Sequence, residues 1–174
     1  MKKIKKLLRN LCIILLLLVF HFYSSCYYIS KDECIKDNMR ALYVEGEEIL
    51  ELKNKNHYRT LIYDKENDIF SIIGSQSVGF LYRIDDCSTD IPINKENNLE
   101  TDWLYNKNMG FVIILYRNNK DINKVTINFD DGEKYTINEW NQDFAGLVVK
   151  AKDWKRGYYI SYNSNNDIIE EMYK

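Results

Sequence analysis

The chain is poor in the residue types on which most catalytic and metal sites depend. Its 174 residues include two histidines, His21 and His57, and one proline, Pro92. It has no His-Glu-x-x-His pair for zinc, no Gly-x-Ser-x-Gly elbow and no phosphate-binding loop ending in Gly-Lys-Ser or Gly-Lys-Thr. The enzyme classes marked by these motifs are therefore excluded. We assign no catalytic residue and expect no cofactor and no metal ion.

The other polar motifs are interpreted as loops and turns. His57 follows Lys53 to Asn56, and nothing nearby in the sequence orients it, so we expect a solvated loop histidine. The segment Gly74 to Gly79 lacks the lysine of a phosphate-binding loop and is interpreted as a turn. Asp85 and Asp86 are adjacent, and adjacent side chains on an extended chain point to opposite faces. They are interpreted as a loop edge, not as the paired carboxylates of a glycosidase.

Cations are outnumbered by carboxylates after the first nine residues. Of 24 lysines and arginines, five precede residue 10, which leaves 19 against 26 aspartates and glutamates. The remainder therefore carries a net charge of about minus seven. An acidic balance argues against nucleic acid as a partner, and against general electrostatic adhesion to anionic lipid.

The chain has one long apolar run, from Leu11 to Phe20, and five cations precede it. A cationic start, an apolar core and a small-residue exit are typical of a secretory or membrane-insertion signal. Three outcomes are open for residues 1–28. Leu11 to Tyr28 is long enough to remain as a signal anchor with a cytoplasmic amino terminus. Ser24-Ser25-Cys26 also looks like the end of a bacterial lipoprotein signal, with Cys26 as the lipidated residue, and ordinary cleavage would release a secreted protein.

Two of the four cysteines, Cys12 and Cys26, belong to this segment. Cys34 and Cys87 remain in the exported part, where an oxidising compartment favours disulfides. A bridge between them would close a long loop and contribute on the order of 4 kcal/mol in the chain-entropy model. The sequence predicts this bridge, with two free buried thiols as the alternative.

Residues 29–174 are expected to form one domain with a helix followed by many strands. Ser30-Lys31-Asp32-Glu33 matches a capping box, and Gly46 is a plausible stop for the helix that follows. From Tyr58 the apolar period is two, with Ser77 to Ile84 as one predicted strand. Asp85 to Asp102 is expected to be a long loop. We therefore expect a mainly β domain, an antiparallel β-sandwich or a curled sheet.

The second half gives the clearest predictions. Gly110 to Tyr116 is continuously apolar, which is typical of a central strand covered on both faces. Asp131-Gly132 predicts a hairpin turn between two strands of period two. Lys124 to Asp130 precedes that turn and Tyr135 to Ile137 follows it.

Aromatic residues are plentiful, with 14 tyrosines and three tryptophans. Trp103, Tyr105, Trp140 and Trp154 fall near the predicted ends of strands. They could form a recognition surface, but packing across strands within a small sheet domain is favoured. Trp154, between Asp153 and Lys155, is the candidate exposed anchor.

The order of these features is similar to that of small exported, membrane-tethered or lipoprotein-like proteins of Gram-positive bacteria. The features that carry the likeness are the signal, the helix, Gly79-Phe80, Trp103 with Tyr105, Asp121 to Val125 and Tyr158 to Tyr162. Such proteins are mostly of unknown function, so the likeness implies no functional residue.

The sequence therefore favours a membrane-anchored extracytoplasmic protein that is a non-enzymatic binding module for an unknown protein or glycan. The alternatives are an immunity or exclusion protein at the cell surface and an exported cell-wall hydrolase that uses dispersed carboxylates.

Overall fold

The structure is a computed structural model that describes residues 2–24, 26–151, 153 and 155–173. For residues 2, 3 and 22–24 it describes the backbone alone. The elements are α1 Lys2–Ser24, β1 Tyr27–Tyr28, α2 Lys31–Ala41, β2 Glu47–Asn54, β3 His57–Asp64, β4 Ile69–Val78, β5 Leu81–Pro92, β6 Leu99–Asn106, β7 Gly110–Arg117, β8 Lys124–Phe129, β9 Lys134–Ile137, β10 Phe144–Val149, β11 Gly157–Tyr162 and β12 Ile168–Tyr173. The prediction of a mainly β, antiparallel domain is confirmed.

The apolar run lies in α1, and its side chains are exposed. Leu7, Leu16 and Phe20 are 73 %, 69 % and 69 % exposed. Of the helices among the described residues, none is long and apolar enough to cross a membrane.

The predicted capping box begins α2. The Ser30 hydroxyl accepts a hydrogen bond from the Glu33 backbone N–H at 3.1 Å. The predicted end at Gly46 is wrong, because the helix ends at Ala41 and Tyr43 has a left-handed backbone with φ of 55°. Gly46 instead lets the chain pass close to the Tyr63 carbonyl, where a Cβ atom would clash.

Three antiparallel sheets stack behind this helix. Sheet A has the order β1-β5-β4-β3-β2, sheet B the order β10-β7-β6, and sheet C the order β12-β11-β8-β9. A small apolar core joins α2 to one face of sheet A, including Ile35, Ile62 and Ile73. A second core joins the other face of sheet A to sheet B, and a third joins sheet B to sheet C.

Strand β7 lies at the centre of this stack, as predicted for Gly110 to Tyr116. Val112 and Ile114 face sheet A, whereas Ile113 and Leu115 face sheet C. All four side chains are at most 2 % exposed. The run is continuously apolar because both of its faces are buried between sheets.

The first half differs from the sequence prediction in two places. Ser77 to Ile84 is not one strand, because β4 ends at Val78, Gly79 has a φ of 64°, and β5 begins at Leu81. The predicted turn from Gly74 to Gly79 lies mostly within β4. The predicted loop from Asp85 to Asp102 is also largely strand, and Pro92 is the last residue of β5, where its missing N–H is tolerated.

The predicted Asp131-Gly132 turn is confirmed between β8 and β9.

The predicted Cys34–Cys87 bridge is not formed in the structure, where both cysteines are free thiols. They lie near each other across the contact between α2 and β5, and the Asn38 side-chain amide donates to Cys87 Sγ at 3.0 Å. Cys34 is fully buried, and burial, together with nearby Cys87, raises its pKa to about 11. At neutral pH Cys34 is therefore protonated and a poor attacking nucleophile for disulfide exchange.

Candidate functional site

A charged cluster lies between sheets A and B at the start of β3, with the side chain of Asp86 at its exposed edge. Asp85 Oδ2 lies 3.0 Å from His57 Nδ1 and 3.1 Å from Arg59 Nη1. Arg59 Nη2 forms an ion pair with Asp86, although the angles of that contact are not those of a hydrogen bond. The His57 and Arg59 residues are 6 % and 4 % exposed. The prediction of a solvated His57 is therefore wrong.

A β-bulge brings the two carboxylates to the same side of sheet A. Ile73 pairs with Cys87 and Ser75 pairs with Ile84, so two steps along β4 match three steps along β5. The extra residue falls at Asp85 and Asp86, where it interrupts the alternation of side chains. The expectation that these residues point to opposite faces is wrong for this reason.

Gly74 provides the space that the cluster occupies. A Cβ atom at this position would lie 2.5 Å from Arg59 Nη1 and 2.6 Å from Asp86 Oδ1, and closer still to the Asp86 carbonyl. Any larger residue would therefore collide with the cluster. Beside it, a cavity of about 170 Å³ reaches sheet B, where Asn106 donates to Asp86 Oδ2 at 2.9 Å.

The electrostatics of the cluster keep Asp85 ionised. Burial alone would raise the pKa of Asp85, but the hydrogen bonds and positive charges of His57 and Arg59 outweigh burial and lower it. The ionised carboxylate accepts a hydrogen bond, so His57 carries a proton on Nδ1. No hydroxyl or thiol hydrogen-bonds to His57 in the described part of the chain, so the arrangement there lacks the nucleophile of a catalytic triad.

The Asp85→Asn variant is expected to lose stability in a pH-dependent way. At neutral pH the loss is about 1.5–3 kcal/mol, because the buried Arg59 loses a charged acceptor. The contribution of Asp85 is present above its unfolded pKa of about 4 and is lost as the pH falls through the lower folded value. Urea unfolding from neutral pH into the acid range should therefore show the difference between the two proteins shrinking as the pH falls through the lowered folded pKa of Asp85.

Asp121→Asn is the matched control, because Asp121 is exposed. We expect it to change the free energy of unfolding by no more than about 0.5 kcal/mol. A loss in Asp85→Asn that is the same at every pH would contradict the assigned role of the Asp85 charge.

A second carboxyl group has the opposite electrostatics. Burial raises the pKa of Glu170, and the charge of Glu100 adds to the effect, although a backbone hydrogen bond from Leu99 lowers it. Its Oε2 atom is buried without a hydrogen-bond partner among the described residues.

Most of the aromatic residues considered for a recognition surface make contacts within the domain instead. Trp103 is 9 % exposed and packs on Phe111 and Phe129, with ring centroids 6.5 and 5.6 Å away. Tyr105 packs on the same Phe111 ring. Trp140 donates to the Asn123 carbonyl at 3.1 Å. These residues consolidate the sheets, whereas the candidate anchor Trp154 lies outside the described residues.

Cys26, the candidate for lipidation, is exposed and directly precedes β1. Among the described residues, no group of three histidine, cysteine, aspartate or glutamate side chains could hold a metal ion.

In comparisons with known proteins, no family model, curated protein or solved structure matches the chain.

Proposed function

We propose that the protein is a non-enzymatic binding domain held at the outer face of a membrane by its N-terminal segment. One observation carries the proposal, which is that α1 exposes its apolar side chains. Twelve of them between Ile4 and Phe20 are 48–73 % exposed. A continuous apolar surface of this size marks a site of contact with membrane or protein.

The packing and charge of α1 support a membrane as that contact. None of its residues belongs to the apolar cores of the described domain, and α1 contacts mainly β1. Five cations precede the apolar run, which is the distribution typical of a secretory or membrane-insertion signal. The exported domain, residues 29–174, would then lie outside the cell.

The charged cluster supports binding in preference to hydrolysis by Asp85 and Asp86. A glycosidase needs one carboxyl group that stays protonated to act as an acid. Arg59 contacts both carboxylates here, and the pKa of Asp85 is lowered. Glu170 is the observation in favour of the hydrolase alternative, because its pKa is raised.

In-cell cross-linking of the tethered protein, followed by identification of co-purifying proteins, tests the binding function. We expect a reproducible partner that is lost when residues 29–174 are replaced by an unrelated domain behind the same residues 1–28. An immunity or exclusion protein would differ only in the identity of this partner, such as a toxin or a phage component. Hydrolysis of cell-wall polymer that Glu170→Gln abolishes would contradict the proposal.

A further inference from the structure

The N-terminal segment joins sheet A near one end of the β domain, the end that carries the β2–β3 turn and the β4–β5 hairpin tip. One row of paired residues crosses all five strands, consisting of Asn54, His57, Gln76, Arg83 and Tyr27. The row spans four strand spacings, or about 19 Å. The last residue of α1, Ser24, lies three residues before Tyr27, so this end of the helix is within about 11 Å of the row. A membrane that holds α1 is therefore within reach of this end of the domain.

A lysine-lined pocket lies at the same end, just beyond Asn54. It has a volume of about 290 Å³ and includes Lys55, Lys107 and Lys150 with the amides of Asn54 and Asn108. No carboxylate is among its described lining residues. The exported domain has a net charge of about minus seven, so this pocket is a positively charged site in an acidic domain.

Three segments that are distant in sequence hold the pocket in shape. The Asn54 amide donates to the Met109 carbonyl at 2.7 Å, which ties the β2–β3 turn to the β6–β7 turn. Asn106 Oδ1 accepts the backbone N–H groups of Asn108 and Met109 at 2.8 and 3.2 Å. Gly110 contacts the end of β10, because a Cβ atom there would clash with the Val149 carbonyl.

Lys55 is held in an unfavourable backbone conformation. It lies in the two-residue turn between β2 and β3 with a φ of 55°. Glycine or asparagine is preferred in such turns, and a larger residue stores strain. A lysine at this strained position fits a role for its positive charge at the pocket.

Two apolar side chains extend beyond the row on the same side. Phe80, at the tip of the β4–β5 hairpin, is 82 % exposed, and Ile29, beside that hairpin, is 81 % exposed. Exposed apolar side chains next to clustered lysines are typical of surfaces that rest on anionic membranes.

We infer that this end of the domain docks on the anionic phospholipid of the membrane that holds α1, with headgroup phosphates in the lysine pocket. The inference rests on the proposed membrane attachment. Lysine is suited to phosphate as a point charge, and the asparagine amides can donate to phosphate oxygens. Phe80 and Ile29 then enter the interfacial region beside the headgroups.

Hydrogen–deuterium exchange of the full chain in lipid nanodiscs tests the docking. The discs contain phosphatidylcholine, with or without phosphatidylglycerol. Each lysine near an anionic surface contributes about a factor of five. We therefore expect exchange at residues 54–56 and 107–110 to slow at least tenfold in the anionic discs, and high salt to reverse the effect.

Two triple variants with the same change in charge provide the comparison. Lys55→Gln/Lys107→Gln/Lys150→Gln removes the pocket, whereas Lys36→Gln/Lys65→Gln/Lys134→Gln removes exposed lysines elsewhere. The slowing is expected to disappear in the first variant and to persist in the second. Equal exchange in both discs, or slowing that persists in the pocket variant, would overturn the docking.

Three further outcomes identify which part of the account has failed. Slowing by inorganic phosphate in neutral discs, without slowing by phosphatidylglycerol, would place free phosphate in the pocket and overturn docking on lipid. Failure of the chain to join discs of either composition would contradict the membrane attachment and the docking together. Attachment without a lipid-dependent change would overturn the docking alone.

Discussion

Replacement of Arg59 by methionine is expected to destabilise the domain by about 3–5 kcal/mol. Arg59 is 4 % exposed and lies between the carboxylates of Asp85 and Asp86. It also donates to the Tyr58 carbonyl at 3.0 Å. Methionine keeps much of the volume but removes the Arg59 counter-charge from the mostly buried Asp85, which then keeps only its hydrogen bond with His57. This poorly compensated charge is the main source of the loss.

Urea unfolding of three variants separates this mechanism from a loss of packing. Lys95→Met removes a surface ion pair with Asp68 that water screens, and it should cost far less than Arg59→Met. The double variant Arg59→Met/Asp85→Leu should recover part of the loss, because no buried charge is then left uncompensated. A loss below about 1 kcal/mol in Arg59→Met would show that the cluster contributes little to the fold.

Replacement of Gly110 by alanine is expected to cost about 3 kcal/mol or more. Two effects contribute to this loss. The φ of 89° is unfavourable for alanine, and the new Cβ atom would clash with backbone atoms that have little room to move. A non-glycine residue with positive φ costs about 1 kcal/mol or more. The clash with the Val149 carbonyl, and a contact of 3.0 Å with the Ala151 nitrogen, add about 1–3 kcal/mol.

Gly132→Ala is the matched control for this prediction. Gly132 has the same φ of 89°, but no atom lies within 4 Å of the position of its Cβ. It should therefore show the conformational cost alone, about 1–2 kcal/mol. Equal losses in the two variants by urea unfolding would contradict the close contact of β7 with the end of β10. That contact is one of those that shape the lysine pocket.

The elements that the sequence predicts correctly are those whose signal is local. Gly110 to Tyr116 is apolar throughout because it is covered on both faces, and Ser30 with Glu33 caps α2 through contacts three residues apart. Asp131-Gly132 forms its turn within a hairpin. In each case the physical cause lies within a few residues of the sequence that shows it.

The charged cluster depends instead on pairing between strands. His57 follows four polar residues, but it is buried because β5 lies across β4 and places Asp85 against it. The bulge that brings Asp86 to Arg59 is a property of the register between two strands. The absence of a side chain at Gly74 was a usable signal, since glycine within a strand indicates a bulge or a close approach.

The net charge of the chain does not reveal the lysine pocket either. The net charge argued against adhesion to anionic lipid, but Lys55, Lys107 and Lys150 meet from three separate segments. In the same way, the alternation of Val78, Phe80 and Tyr82 resembles a strand with one buried face. Phe80 is in fact at a hairpin tip, and Gly79 with its φ of 64° makes the turn.

The location of the mature protein tests the central claim most directly. The chain, expressed with residues 1–28 in a Gram-positive host, is fractionated, its membranes are washed at alkaline pH, and its intact mass is measured. The proposal predicts that it stays with the washed membranes and that external protease digests residues 29–174. The mass of the full chain indicates a retained anchor, and that of a lipid-modified chain beginning at Cys26 indicates a lipoprotein. Recovery of the protein in the soluble fraction of the cell or in the medium would contradict the account.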